Sequence, residues 1–193
     1  DKKENVWIGT YGGGLSFFDT RTKKFTTYLD IGSDGELRSP GSNKVRIIYE
    51  DENEIMWIGT DGGGLVTFNM RTKKFLEYFK HDDADAGSIS NDRITSIAED
   101  EHNVIWIGTL GGGLLNYNKA TKKFHNHQKT ENNPFGLSDN LVRCIYLDEL
   151  DSVWLGTSSG GVNVYFRNAA KFAHYQKNEN VENSLRSNTI CSI

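Results

Sequence analysis

Residues 57–65 read Trp57-Ile58-Gly59-Thr60-Asp61-Gly62-Gly63-Gly64-Leu65, and the chain carries this phrase four times. The other copies are WIGTYGGGL from Trp7, WIGTLGGGL from Trp106 and WLGTSSGGV from Trp154, so the tryptophans stand 50, 49 and 48 residues apart. An aspartate precedes each tryptophan by six positions: Asp1, Asp51, Asp100 and Asp148. Aromatics follow at eleven positions (Phe18, Phe68, Tyr117, Tyr165) and at eighteen (Phe25, Phe75, Phe124, Phe172). A last anchor lies three further on, at Tyr28, Tyr78, His127 and Tyr175. A period of roughly 40–50 residues built from short strands is the signature of a β-propeller.

Within one copy the pattern predicts four strands. Residues 45–49 are β-branched and aromatic, 51–54 make a turn, and 55–60 are a second strand. Gly62-Gly63-Gly64 turns the chain again, 65–69 follow as a third strand, 71–74 turn, and 75–79 complete the set. No helical i, i+3, i+4 pattern interrupts them. The expected fold is all-β, a propeller of four-stranded antiparallel blades with four repeats of about 49 residues. One propeller region spans 1–193, with repeat units near 1–41, 42–89, 90–137 and 138–186.

The innermost strands do not alternate cleanly (Val45, Ile47, Ile48; Val142, Cys144, Ile145), which predicts burial on both faces between packed blades. The repeated aromatics then fill the seams. Residue Asp1 enters at the turn after an innermost strand, and 187–193 align with 42–48. Residues 187–193 are therefore read as the innermost strand of the next or first blade. The favoured arrangement is an arc of a larger propeller. Closure as four blades, or two copies pairing into eight, are the alternatives.

Composition narrows the function classes. With 22 Lys and Arg against 26 Asp and Glu, the chain has a net charge of −4 and no basic surplus for gripping nucleic acid. No apolar run approaches the roughly 18 residues that cross a bilayer as a helix. Cys144 and Cys191 lack CxxC or Cys/His metal spacing and occupy small strand positions. Neither a metal nor a cofactor is expected.

The anchors Leu/Ile-Ser-x-Asn-x-Val, then Asp-x5-Trp-Ile-Gly-Thr-x-Gly-Gly-Gly-Leu, then aromatic-Asp/Asn, then Thr-Lys-Lys-Phe-x-x-Tyr resemble the two-component regulator propeller repeat. Three positions depart from it: Pro40 stands for the leading Leu/Ile, Ser159 for a glycine, and Phe166 for Asp/Asn. The resemblance implies the periplasmic sensor region of a bacterial hybrid two-component histidine kinase, often one controlling polysaccharide use. It implies an oligosaccharide ligand, further blades or self-association as partners, and a membrane helix and kinase outside this sequence. A structural or dimerisation scaffold is the alternative, and a propeller lyase or hydrolase a weaker one.

Most motif-like residues are explained by the repeat itself. The triple glycines precede strands rather than helices, so they are turns and not phosphate cradles. Gly156-Thr157-Ser158-Ser159-Gly160 matches the G-x-S-x-G nucleophile elbow in letters only, because a strand follows it. His125 and His127 share a strand face, yet His127 fills a tyrosine slot. The Asp-x5-Trp aspartates recur in every copy and read as turn hydrogen-bonders.

Function is expected where the copies differ, on a rim formed by the glycine turns and the inner-strand entrances. The variable turn position holds Tyr11, Asp61, Leu110 and Ser158; the entrances hold Lys44, Arg93, Leu141 and Thr189 beside Asn43, Asp92, Asn140 and Asn188. Arg46 and Arg143 lie one residue further in. Tyr11, Asp61, Lys44, Arg46, Arg93 and Arg143 are the candidate ligand-binding residues, an aromatic with charged groups suited to a sugar chain. The loops 30–41 (Gly32, Gly35, Pro40), 81–87 (Asp82, Asp83, Asp85) and 129–136 (Asn132, Asn133, Pro134) are further places for specificity.

Overall fold

The computed structural model describes residues 1–29 and 40–193. They form two compact units: Asp1–His81 with Asp92–Ile94, and Asp82–Asn91 with Thr95–Ile193. Unit 1 holds a three-stranded sheet of β1 (Val6–Gly9), β2 (Leu15–Asp19) and β3 (Lys24–Tyr28). Its second sheet has four strands: β4 (Val45–Glu50), β5 (Ile55–Thr60), β6 (Leu65–Asn69) and β7 (Lys74–Phe79). In unit 2 one sheet comprises β8 (Ile94–Glu99, whose first residue belongs to unit 1), β9 (Val104–Thr109), β10 (Leu114–Asn118) and β11 (Lys123–His127). The other comprises β12 (Val142–Leu147), β13 (Val153–Thr157), β14 (Val162–Phe166) and β15 (Lys171–Tyr175). Every sheet is a meander with strands paired in chain order, the blade of a β-propeller. The predicted strands of the second copy fall within one residue of β4 to β7.

One carboxylate per copy closes the first hairpin. Asp51 accepts the N–H groups of Asn53 (2.9 Å) and Ile55 (3.0 Å) on one oxygen and Trp57 Nε1–H (3.2 Å) on the other. Asp1, Asp100 and Asp148 make the same three bonds in their own copies. The aspartate thus ties the turn to the indole that fills the seam. A second device closes the last hairpin: the side-chain oxygens of Asp19, Asn69 and Asn118 accept two N–H groups of the turn that follows. Phe166 has no such oxygen, and there a 3-10 turn, Arg167–Ala169, takes over.

The seams are aromatic. In unit 1, Trp7 and Tyr28 of the first sheet meet Phe68 of the second at ring distances of 5.3 and 5.4 Å, within a cluster that includes Leu15, Val45, Ile58 and Phe75. In unit 2, Trp106 and His127 meet Tyr165 at 5.6 and 5.1 Å. Such pairs contribute about 0.5–1.5 kcal/mol each beyond the area they bury. Arg167 strengthens this seam, because its guanidinium donates to Asp100, lies 2.9 Å from Asp151 and sits 5.5 Å over the Trp106 ring.

One expectation is corrected. Burial on both faces falls on the second strands, β5 and β9, while the innermost β4 and β12 are half-exposed. The broken alternation has another cause, a β-bulge between Val45 and Ile47 and between Val142 and Cys144, which inserts Arg46 and Arg143 as extra residues. Residues 187–193 enter no ladder among the described residues. Ile190 N–H donates to Thr157 O (2.9 Å), the bond that Val45 N–H makes to Thr10 O, so the segment occupies the inner-strand entrance without pairing further among the described residues. Gly32 and Gly35 of the first long loop lie outside the described residues.

Candidate ligand-binding rim

The glycine turn of one copy is completed by the inner-strand entrance of the following one. Tyr11 bridges Lys44, Asp61 bridges Arg93 and Leu110 bridges Leu141, all antiparallel. The entrance carbonyl of Asn43 accepts the N–H groups of Gly12 and Gly14, and that of Asp92 accepts those of Gly62 and Gly64. This backbone joint sets the side chains of the rim.

Five of the six predicted residues gather in unit 1, around Asp61. Tyr11 Oη donates to Asp61 Oδ2 (2.7 Å) and Arg93 Nε donates to Oδ1 (2.8 Å). Arg46 Nη1 stands 3.8 Å from the same Oδ1, and Lys44 Nζ lies 5.4 Å from the centre of the Tyr11 ring. The bulge delivers Arg46 to this place, a feature that the loss of alternation in the sequence carried but did not name. Hydrogen bonds from Arg93 and Tyr11 hold the Asp61 carboxyl below its ordinary pKa, and the same bond to Asp61 raises that of the Tyr11 phenol. The aspartate therefore stays charged and the phenol stays a donor at neutral pH. Tyr11 is 68% exposed, so a flat ring is presented to solvent beside fixed charges.

Arg143 lies on β12 in unit 2, exposed at the bulge, where the rim is of another kind. The bridge there joins two leucines, Leu110 and Leu141, and Ser158 and Thr189 form the next joint through Thr189 Oγ1–H to Ser158 O (2.8 Å). The polar side chains beside the entrances also fasten the chain. Side-chain oxygens of Asp92, Asn140 and Asn188 accept the N–H groups of His81, Lys129 and Lys177 at 2.6–2.7 Å. The loop acids Asp82 and Asp85 likewise accept N–H groups of their own turns, from Ala84 and Gly87.

The remaining motif-like residues are tied into structure. Ser158 and Ser159 lie on a strand–turn–strand between β13 and β14, and Ser159 donates both N–H and Oγ–H to Asp139 (2.8 Å each). His127 stacks on Trp106 at 6.0 Å, with His125 edge-on at 4.7 Å. Burial, assisted by His125, pushes the His127 pKa down to about 4. Among the described residues no group of three or more His, Cys, Asp or Glu is placed to hold a metal, and no helix is long and apolar enough to cross a membrane.

His127 gives a pH prediction. The imidazole is neutral in the folded state between pH 4 and 6.5, whereas the unfolded chain takes up a proton there. Stability should therefore fall as pH drops through this window, by about 3 kcal/mol at its acid end. Denaturant unfolding of His127→Phe should lose this part of the pH dependence; an unchanged slope would refute the assignment.

Three segments of the chain, 39–62, 88–111 and 136–159, match the family described as two component regulator propeller. Each runs from an inner-strand entrance through the first hairpin into the glycine turn. The match is to these three repeat segments. The chain is similar in structure to the extracellular domain of a protein assigned as a hybrid two-component system of B. thetaiotaomicron, with TM-score 0.72 and 27% identity over 95% of this chain. The chain spans 23% of that structure's length. PorZ, a surface component of the type-IX secretion system of Porphyromonas gingivalis, shares the fold at TM-score 0.71 and 21% identity, over 100% of this chain and 28% of its own. Virginiamycin B lyase from Staphylococcus aureus shares it at TM-score 0.67 and 12% identity, over 93% of this chain and 54% of its own. Among curated proteins, none matches the chain.

Proposed function

We propose that these repeats are a non-catalytic, ligand-sensing part of an extracytoplasmic two-component receptor. In this reading the module lies in the periplasm, binds an oligosaccharide on the rim of unit 1 and regulates a kinase outside this sequence. The B. thetaiotaomicron relative supports the receptor context. The observation that carries the ligand site is the contrast between the joints. Leu110 and Leu141 make the same backbone bridge as Asp61 and Arg93 without any charge, so the fold does not require the charged cluster of unit 1. Regulation would follow from different ligand affinities in two arrangements of the receptor, not from tight binding alone.

The test is Tyr11→Ala, Asp61→Asn and Arg93→Gln, singly and together, in the full receptor. Loss of ligand response with an unchanged unfolding midpoint is expected. Retained response in the triple variant would leave a scaffold as the better reading.

One observation favours that second reading. Trp154 and Tyr175 are stacked at 6.1 Å on the wall of a groove of about 770 Å³ that also includes Val162, Val181 and Leu185. In the two seams described, the equivalent pairs, Trp7 with Tyr28 and Trp106 with His127, each receive an aromatic from the following sheet. The open pair suits another blade of the same kind.

A further inference from the structure

We infer that the rim of unit 1 selects ligands bearing a fixed negative charge, a carboxylate or a sulfate, over neutral sugars; this rests on the reading of the rim as the ligand site. Around Asp61 stand three cations, Lys44, Arg46 and Arg93, on a chain whose total charge is −4. Asp61 is already engaged on both oxygens, by Tyr11 and Arg93. Arg46 remains at 3.8 Å, an ion-pair distance and not a hydrogen bond, and Lys44 faces the Tyr11 ring rather than an anion. Lys44 and Arg46 therefore stand beside one exposed aromatic ring with no anion hydrogen-bonded to either among the described residues.

The supply of acceptors points the same way. A neutral sugar hydroxyl both donates and accepts, and recognising it calls for protein groups of both kinds. Here the carboxylate is taken, Asp92 Oδ1 holds His81 N–H, and the Asp92 carbonyl already accepts from Gly62 and Gly64. What the rim offers outward is chiefly donors and positive charge. A carboxylate or sulfate, which only accepts, matches that surface, while the sugar ring that carries it can lie on Tyr11. The leucine joint of unit 2 has neither property.

The experiment is calorimetric titration of the chain with three oligosaccharides of equal length: an oligogalacturonate, a sulfated galactan fragment and the neutral galactan fragment. At least one anionic probe should bind about tenfold tighter than the neutral one, and weaken as salt rises from about 0.05 to 0.5 M. The arm that binds assigns carboxylate or sulfate. The double substitution Lys44→Gln with Arg46→Gln should abolish the preference while leaving the unfolding midpoint in place. If the neutral fragment binds equally well and is lost in Tyr11→Ala, the charge inference fails and the rim reading stands. Anionic binding that survives the double substitution also overturns the inference. No binding by any of the three overturns both.

Discussion

Replacing Asp100 by Asn should destabilise unit 2 by about 3–5 kcal/mol, although the two side chains have nearly the same shape. Asp100 is buried and accepts from four donors: the N–H groups of His102 and Val104, Trp106 Nε1–H and the Arg167 guanidinium. An amide offers one acceptor oxygen and sets an NH₂ against the remaining donors, whichever way it is turned. Arg167 also loses the more deeply buried of its two counter-charges and keeps only Asp151. Denaturant unfolding should show a lower midpoint with an unchanged slope. A loss below about 1 kcal/mol would mean that the carboxylate is not the fastener proposed. The same group adds an acid limb. Burial pushes its pKa up, but the bonds from Arg167, Trp106, Val104 and His102 outweigh that and hold it below the ordinary value of 3.8. The folded state thus binds the proton less readily than the unfolded one. This stabilisation is complete above pH 3.8 and is lost as pH falls through the lower, folded value.

Gly64→Ala is the second large effect, roughly 3–4 kcal/mol in unit 1. Gly64 has φ +80°, and a Cβ there would be driven into the Phe79 carbonyl oxygen on the neighbouring strand. Backbone cannot give way as a side chain can, so strain and overlap add. Gly62 is the control. Its φ is +93°, yet a Cβ would meet nothing within 4 Å. Gly62→Ala should cost only about 1–2 kcal/mol of backbone strain. The fourth copy carries Ser159 at the position of Gly62, with φ outside the left-handed region, and keeps Gly161, at φ +73°, in that of Gly64. Equal losses in the two variants would refute the overlap argument.

The strand order was legible because the repeat states its punctuation four times: Asp before Trp, glycines after it, Thr-Lys-Lys before Phe. Repetition also exposed the rim, through positions such as 11, 61 and 110 where the copies disagree. What stayed hidden was which of those residues hold each other. That Asp61 accepts from Tyr11, 50 residues away, depends on a joint between separate sheets that no local pattern encodes. The bulge at Arg46 was misread as two-sided burial, because one extra residue and a doubly buried strand break alternation alike. The fastening role of Asn140 and Asn188 stayed hidden for another reason: their partners are backbone N–H groups, which are the same in every sequence.

The shared joint has a consequence for how such chains grow. A glycine turn is not finished by its own repeat: the N–H groups of Gly62 and Gly64 end on the carbonyl of Asp92, which opens the following copy. A single excised repeat would therefore keep its hairpins but leave those donors without acceptors. Whole copies, in contrast, can be duplicated or deleted at the genetic level with each new junction already fitted, because every end carries the fitting that the next beginning expects. Blade number is then free to drift by integers, while the side chains that each joint displays change by point substitution.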